Sequence, residues 1–526
     1  SSTAAPPAAN DPVARPDIIV IMADDLDVRL GSLAAMPKLA ERVTREGLSL
    51  DSHYVSFSTC CPSRVSFLRG QYAHSHRIFT NAPPAGGYEK VLPLGLEDST
   101  LGTWLQEAGY RTFYAGKYLN GYPLPADPAR VPPGWDQWFS PVDEAAYASF
   151  GYRMNENGTL VSYGEAPADH VTDVLAAKIG AAIRATKARG QPFFAVVAPF
   201  APHAPAVPAP RHAGLYTDAT APRTAAWDEA DVSDKPVRIQ LLPPLYPEVV
   251  ATLDADHRSR LQSLVEGTLR ALEEAGRLDH SYVFFTSDNG YHLGQHRLPA
   301  GKTTAYEEDV RVPLIVRGPG IAAGRVEDRW LTGVVDLAPT VAELAGAQVP
   351  DYVEGRSLVP ILRGSEPSAA EWRQAFLLEG YAGGSRSQRG TPVVSPEANR
   401  PAFGAVAPAD DFDLSLATSA TPDQENPNPT REVYVGLRTP RLTFIHSLPA
   451  EFELYDNAAD PDQLRNLAGL LTPDALMSWA VWATALHLCK GADCRLLEAR
   501  PLPALPLDLP PPGPTSTGLA TVTAAA

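Results

Sequence analysis

The chain has 526 residues, 44% hydrophobic and 20% charged, enough to bury a sizeable core and to support two domains. Its formal net charge is -17, from 61 acidic against 44 basic residues. Wrapping a nucleic acid or another long polyanion calls for basic surface, so this balance argues against such partners and for a small anionic substrate gripped in a locally basic pocket. No apolar run approaches the ~20 residues that cross a bilayer, so no membrane span is expected.

Residues 1–16 are Ser/Ala/Pro-rich, a lead-in of the kind left after signal cleavage, or a linker. The apolar, β-branched run Asp17 to Ala23 reads as a buried parallel strand ending in Asp24-Asp25. Helical spacing follows over Met36 to Glu46, Pro62 to Leu68 and Thr100 to Ala108, then a strand over Tyr110 to Ala115. The helix Asp169 to Lys187 leads into the strand Phe193 to Val197. The pattern repeats with a helix over His257 to Ala275, strands over Tyr282 to Thr286 and Val312 to Val316, and a helix over Val335 to Ala345. This alternation predicts an α/β domain over residues 17–380, with a large central mostly parallel (mixed) sheet flanked by helices. Residues 381–430, rich in Gly, Ser, Pro and Asp, read as a loop-rich insertion. Strands over Val433 to Leu437 and Leu442 to Ile445, with a helix over Pro473 to Leu488, predict a smaller α+β subdomain over 431–499. The Pro-rich tail, 500–526, reads as extended or disordered.

The four cysteines fall in two pairs. Cys489 and Cys494 read as a short disulfide loop and hence an oxidising compartment; two zinc ligands are the rival, but no nearby Cys/His set completes a tetrahedral site. The early pair lies in Cys60-Cys61-Pro62-Ser63-Arg64. There a cysteine sits at a helix N-terminus, where unpaired N–H groups favour an anion, and Arg64, one turn on, carries a guanidinium fork suited to sulfate or phosphate oxygens. A buried cysteine couple at a helix start is the lesser, purely structural alternative. Asp24-Asp25 and Asp288-Asn289-Gly290 lie at the carboxyl ends of predicted strands, where open α/β sheets place their sites. Three carboxylates and an amide carbonyl make a hard-oxygen set for Ca²⁺ or, less well, Mg²⁺, although either pair alone reads more readily as a turn or cap. Gly116-Lys117, Pro202-His203-Ala204-Pro205 and Gly301-Lys302 adjoin predicted strand ends too; singly, such a lysine is ordinarily solvated and such a histidine structural.

The pentapeptide resembles the sulfatase signature Cys-x-Pro-Ser-Arg, in which the cysteine is oxidised to formylglycine (3-oxoalanine). Only Cys60 has proline two and arginine four residues on, so Cys61 takes the variable position. The resemblance extends from Asp24 to about Asn466 and implies that Asp24, Asp25, Asp288 and Asn289 hold calcium together with the modified Cys60. It implies that Arg64, Lys117 and Lys302 clamp sulfate and that His203 stands beside the leaving-group oxygen. The runs Gly116-Lys117-Tyr118-Leu119-Asn120 and Gly290-Tyr291-His292-Leu293-Gly294-Gln295 look most like N-acetylglucosamine-6-sulfatases and extracellular endosulfatases. Leu119 stands where many arylsulfatases carry a histidine, so His292 or His296 is expected to fill that role, with Asn120 also on the substrate side. Arg69 stands where a threonine is common.

By resemblance, hydrated formylglycine attacks sulfur, the alcohol leaves with a proton from His203, and expulsion of sulfate regenerates the aldehyde. A formylglycine-generating enzyme would be the maturation partner, and a secreted, periplasmic or lysosomal-type compartment is implied. The acidic balance favours a small sulfated sugar or aryl sulfate. Two rivals are a phosphonate or phosphate ester hydrolase of the same superfamily and a non-catalytic binding protein whose cysteine is never modified.

Overall fold

The computed structural model describes residues 15–187, 190–264, 277–368, 370–381, 432–447 and 450–509. A ten-stranded sheet forms its centre, in the order Arg325–Glu327, Leu48–Leu50, Leu314–Arg317, Ser281–Ser287, Asp17–Ala23, Phe193–Ala198, Arg111–Gly116, Gln137–Pro141, Arg153–Glu156, Thr159–Ser162. The five strands from Ser281–Ser287 to Gln137–Pro141 run parallel. Leu314–Arg317 is antiparallel to both its neighbours, which makes the sheet mixed.

Every residue of Asp17–Ala23 is buried because both faces of the sheet are covered. Successive side chains point to opposite faces. Ile18, Val20 and Met22 join one core, while Ile19, Ile21 and Ala23 join the other. The second core is closed by Val171–Lys187, through Val174, Leu175 and Ile179, and by Leu261 and Leu264. The first is closed by Leu101–Glu107, Leu337–Ala345 and Cys60–Arg69. That core runs without a break into a second, antiparallel sheet of Phe376–Tyr381, Glu432–Arg438, Leu442–Ser447 and Glu451–Asp456, backed by Pro473–His487. Buried Arg373 forks onto both oxygens of Asp336 and also donates to Glu498 Oε2 (2.9 Å), tying the last helix, Ala492–Glu498, to the body. Cys489 and Cys494 form a disulfide.

Several boundaries differ from the sequence reading. The helix expected from Pro62 starts at Cys60, with Thr59 as its extended N-cap residue, so Cys60 and Cys61 belong to its first turn. The expected helix over 36–46 is an α-turn, Pro37–Leu39, followed by a π-turn, Ala40–Thr44. The helix expected at His257 begins ten residues earlier, as Pro247–Leu264, because Pro247 suits a first turn; residues 265–275 of that expectation lie outside the described residues. So do 1–14, the insertion from 382 on, and the tail from 510.

Two buried histidines make stability depend on pH. Burial pulls His53 and His76 from 6.5 to about 3. The Ile78 amide donates to His76 Nδ1 (3.1 Å), so the neutral ring carries its proton on Nε2, facing Ser66 Oγ at 3.0 Å. Below the ordinary value the unfolded chain takes up these protons and the folded chain does not. Stability is therefore expected to fall with pH by ~1.4 kcal/mol per unit for each ring between the two values. Denaturant unfolding of His76→Gln against the parent across that range checks this; an unaltered slope counts against it.

Candidate active site

The parallel topology places the carboxyl ends of Asp17–Ala23 and Ser281–Ser287 side by side, so that the residues following each strand meet. Asp25, in the left-handed region at φ 65, donates its amide to Asp288 Oδ1 (3.1 Å), and Asp288 donates its own to Ala23 O (3.1 Å). One ligand atom each from Asp24, Asp25, Asp288 and Cys60 lies within 4.8 Å of the other three, and all four residues are buried. Cys60 Sγ is 3.5 Å from Asp24 Oδ1 and 3.9 Å from Asp25 Oδ1.

Three cations interleave with these acids. Arg64 Nε donates to Asp288 Oδ2 (2.7 Å) and Nη1 to Lys117 O (2.8 Å), while Nη2 stands 3.8 Å from Asp24 Oδ1. Lys117 Nζ donates to Asp24 Oδ2 (2.8 Å). Lys302 Nζ donates to Asp25 Oδ1 (2.6 Å) and to Cys60 Sγ (2.8 Å). Lys117 is aimed by Gly116, whose φ is 119 and where a Cβ would fall 1.9 Å from Ala198 O; only glycine passes there.

Burial alone would raise the Asp24 carboxyl, but the charges of Lys117, His203, Arg64 and Lys302 hold it well below the usual carboxylate range. Burial raises the Asp288 carboxyl despite Arg64, and Asp24 and Asp25 push it the same way. A divalent cation would reverse that rise. Two buried atoms, Asp25 Oδ2 and Asn289 Oδ1, have no hydrogen-bond partner among the described residues, and Asn289 turns its Nδ2 toward Asp25 Oδ1 (2.6 Å). Oxygen donors of this kind fit a hard cation, Ca²⁺ or Mg²⁺. Burial pushes the neighbouring Cys61 thiol up to about 12, which keeps it protonated.

The expected histidines separate. His203 Nε2 stands 3.8 Å from Asp25 Oδ2, its Nδ1 is 2.7 Å from Ala204 O, and its ring packs 4.6 Å from that of Tyr147. His292 pairs in register with Gly301, beside Lys302, and its Nδ1 is 2.8 Å from Asp309 Oδ1. His296 instead faces Glu229 Oε2 (2.6 Å) and packs on Tyr306 (4.2 Å). Asn120 lies in the turn after Lys117, and its carbonyl accepts from the Tyr88 amide (2.7 Å).

Three residues with no sequence signal support the site. Asp309 Oδ2 accepts from Thr304 N (2.8 Å) and Oγ1 (2.7 Å), holding the Lys302 loop as well as His292. Arg260, buried over the Tyr291 ring, donates to Asp25 O. The Tyr147 ring lies 5.1 Å from Lys117 Nζ.

The family model for sulfatases matches residues 16–347. N-acetylglucosamine-6-sulfatase of Homo sapiens is 32% identical over 500 residues, covering 91% of this chain and 86% of that protein. An arylsulfatase of Volvox carteri is 38% identical over 525 residues, covering 91% of this chain and 76% of its own. A protein solved in complex with its substrate D-glucosamine-2-N,6-O-disulfate shares the fold, with a TM-score of 0.66 at 22% identity over 90% of this chain and 97% of that one.

Proposed function

The chain belongs to the sulfatase family and is a sulfuric ester hydrolase; from that premise we propose that it acts on a small sulfated sugar, with Cys60, as formylglycine, and a calcium ion at the carboxylate cluster. The single observation that carries this is the convergence of Cys60 Sγ, three buried carboxylates and three cations at the ends of adjacent strands, with Asp25 Oδ2 and Asn289 Oδ1 lacking partners among the described residues. When present, the calcium supplies Lewis acidity and the aldehyde hydrate supplies an oxygen nucleophile.

The chain's own residues do the rest. Three carboxylates and three cations balance, so a dication held by Asp24, Asp25, Asp288 and Asn289 leaves a surplus positive charge for a sulfate monoester. Lys117 and Lys302 are the cations that change partner, from carboxylate to sulfate oxygen, while Arg64 stays anchored to Asp288 and Lys117 O. His203 donates Nδ1–H to a carbonyl, so a neutral ring has its lone pair on Nε2 and the acid form is the imidazolium. Its Nε2 stands 3.8 Å from Asp25 Oδ2. It holds the proton that the leaving alkoxide takes. His292, fixed by Asp309, is the substrate-side histidine of this reading; Asn120 and His296 complete it at greater remove.

Release of sulfate from glucosamine-6-sulfate and from an aryl sulfate, beside hydrolysis of an aryl phosphonate, tests this with and without chelation. Sulfate esters are expected to turn over, chelation to slow them by ~100-fold or more, and calcium to restore the rate. Preference for the phosphonate would move the reading to a phosphonate hydrolase, and rates indifferent to chelation would remove the metal. The Cys489–Cys494 disulfide supports a secreted or lysosomal-type compartment, and no described helix is long and apolar enough to cross a membrane.

A further inference from the structure

Away from the carboxylate cluster, three donors of the kind that bind transition metals meet where the C-terminal sheet and helix dock. His74 lies in the short helix Ala73–His76, just after the Cys60 helix; Glu379 is on Phe376–Tyr381; His487 ends Pro473–His487. Glu379 Oε1 is 2.8 Å from His74 Nδ1 and 2.7 Å from His487 Nδ1. Its other oxygen accepts from the Ala73 amide (3.2 Å). The far ring nitrogens are engaged as well, His74 Nε2 with Cys489 O (2.9 Å) and His487 Nε2 with the Tyr381 hydroxyl (3.3 Å).

Proton accounting makes this arrangement unusual. A carbonyl oxygen only accepts, so His74 Nε2 carries a hydrogen. A neutral His74 would then aim its Nδ1 lone pair at a buried carboxylate, which is repulsive. Something positive must sit between them: a second proton or a metal ion.

We propose that His74, Glu379 and His487 form a second metal site, selective for zinc or a similar divalent transition metal, that pins the C-terminal subdomain to the catalytic domain. Two imidazoles and a carboxylate are ligands that zinc takes, and a ring N–H anchored on a backbone carbonyl is what orients a ligating histidine. The nitrogen-rich set also separates it from the all-oxygen calcium site. Ligands at zinc–nitrogen distances of about 2.0–2.1 Å in a tetrahedron stand roughly 3.4 Å apart. Each contact to Glu379 Oε1 therefore opens by a little over half an ångström on binding, and neither histidine is fully buried, so side-chain rotation supplies this. Water takes the fourth position.

The test uses the full chain, stripped of transition metals and held in excess calcium so that the carboxylate cluster is filled. Zinc is titrated by calorimetry and by thermal unfolding. The expected result is one zinc per chain and a raised unfolding temperature, with both lost in His487→Ala and in Glu379→Gln. His487, at a helix end, is the variant that keeps the test decisive if the buried Glu379 substitution misfolds. No stoichiometric zinc, or equal zinc affinity in His487→Ala, overturns the proposal. A cluster stabilised by acidification through the histidine range but not by zinc is a protonated clamp, and overturns it as well.

Discussion

Cys60→Ala is expected to lower kcat for sulfate ester hydrolysis by at least ~10⁴-fold while leaving the cooperative unfolding transition in place. The substitution removes one sulfur atom from a fully buried position whose backbone is fixed by the first turn of Cys60–Arg69. The residue's side chain touches Lys302 Nζ at 2.8 Å, so the ammonium keeps its stronger partner, Asp25 Oδ1 at 2.6 Å, when the sulfur is gone. Nothing else in the site can take over: Cys61 lies one residue on, but burial leaves it a thiol and its amide faces Asn81 Oδ1 (2.8 Å). A mass spectrum of the peptide spanning residue 60 complements the kinetics. Near-parental turnover by Cys60→Ala, or an unmodified thiol in fully active protein, would sink the assignment.

Arg64→Ala should be costly twice. Its guanidinium is 2% exposed and is the direct counter-ion of fully buried Asp288, so its loss strands a carboxylate that burial already disfavours. Removing one partner of such a pair costs about 3–5 kcal/mol. Because a dication bound to Asp288 replaces much of that compensation, the loss of stability should be larger in chelated protein than in calcium-loaded protein. Activity should fall by at least ~10²-fold even with calcium present, since the group that holds Asp288 and the Lys117 carbonyl in place is gone. Arg64→Lys keeps the charge but not the fork that spans Asp288 Oδ2 and Lys117 O, and should recover stability more than rate. Denaturant unfolding with and without calcium, paired with kcat/KM, measures both. Equal losses in the two metal states would separate Arg64 from the metal site.

Parts of this site are legible in the chain because the chemistry is local. Cys60, Pro62, Ser63 and Arg64 are contiguous, and a helix start brings a side chain and its partner four residues on to the same face. Asp24-Asp25 and Asp288-Asn289 advertise themselves by following apolar strands, and parallel strands put such ends on one side of a sheet. Asp309 carries no such mark. Its role comes from a turn that folds Thr304 back against it and a two-residue ladder that brings His292 beside Gly301. His296 shows the converse: four residues beyond His292 in sequence, it is turned by a positive φ toward Glu229 and Tyr306.

By itself the sequence determined the kinds of element, the register of Cys60 in its motif and the inventory of candidate ligand types, because these rest on spacing within a few residues. Only the tertiary structure decided that Leu314–Arg317 runs antiparallel, that Phe376–Tyr381 begins the second sheet, and that the helix behind Asp25 starts at Pro247 and delivers Arg260. It also decided which cation meets which carboxylate: Arg64 with Asp288, Lys117 with Asp24, Lys302 with Asp25. Those choices depend on charges and surfaces brought together across separations of up to 277 residues, where the energy depends on burial and distance in space, and neither is encoded in local pattern.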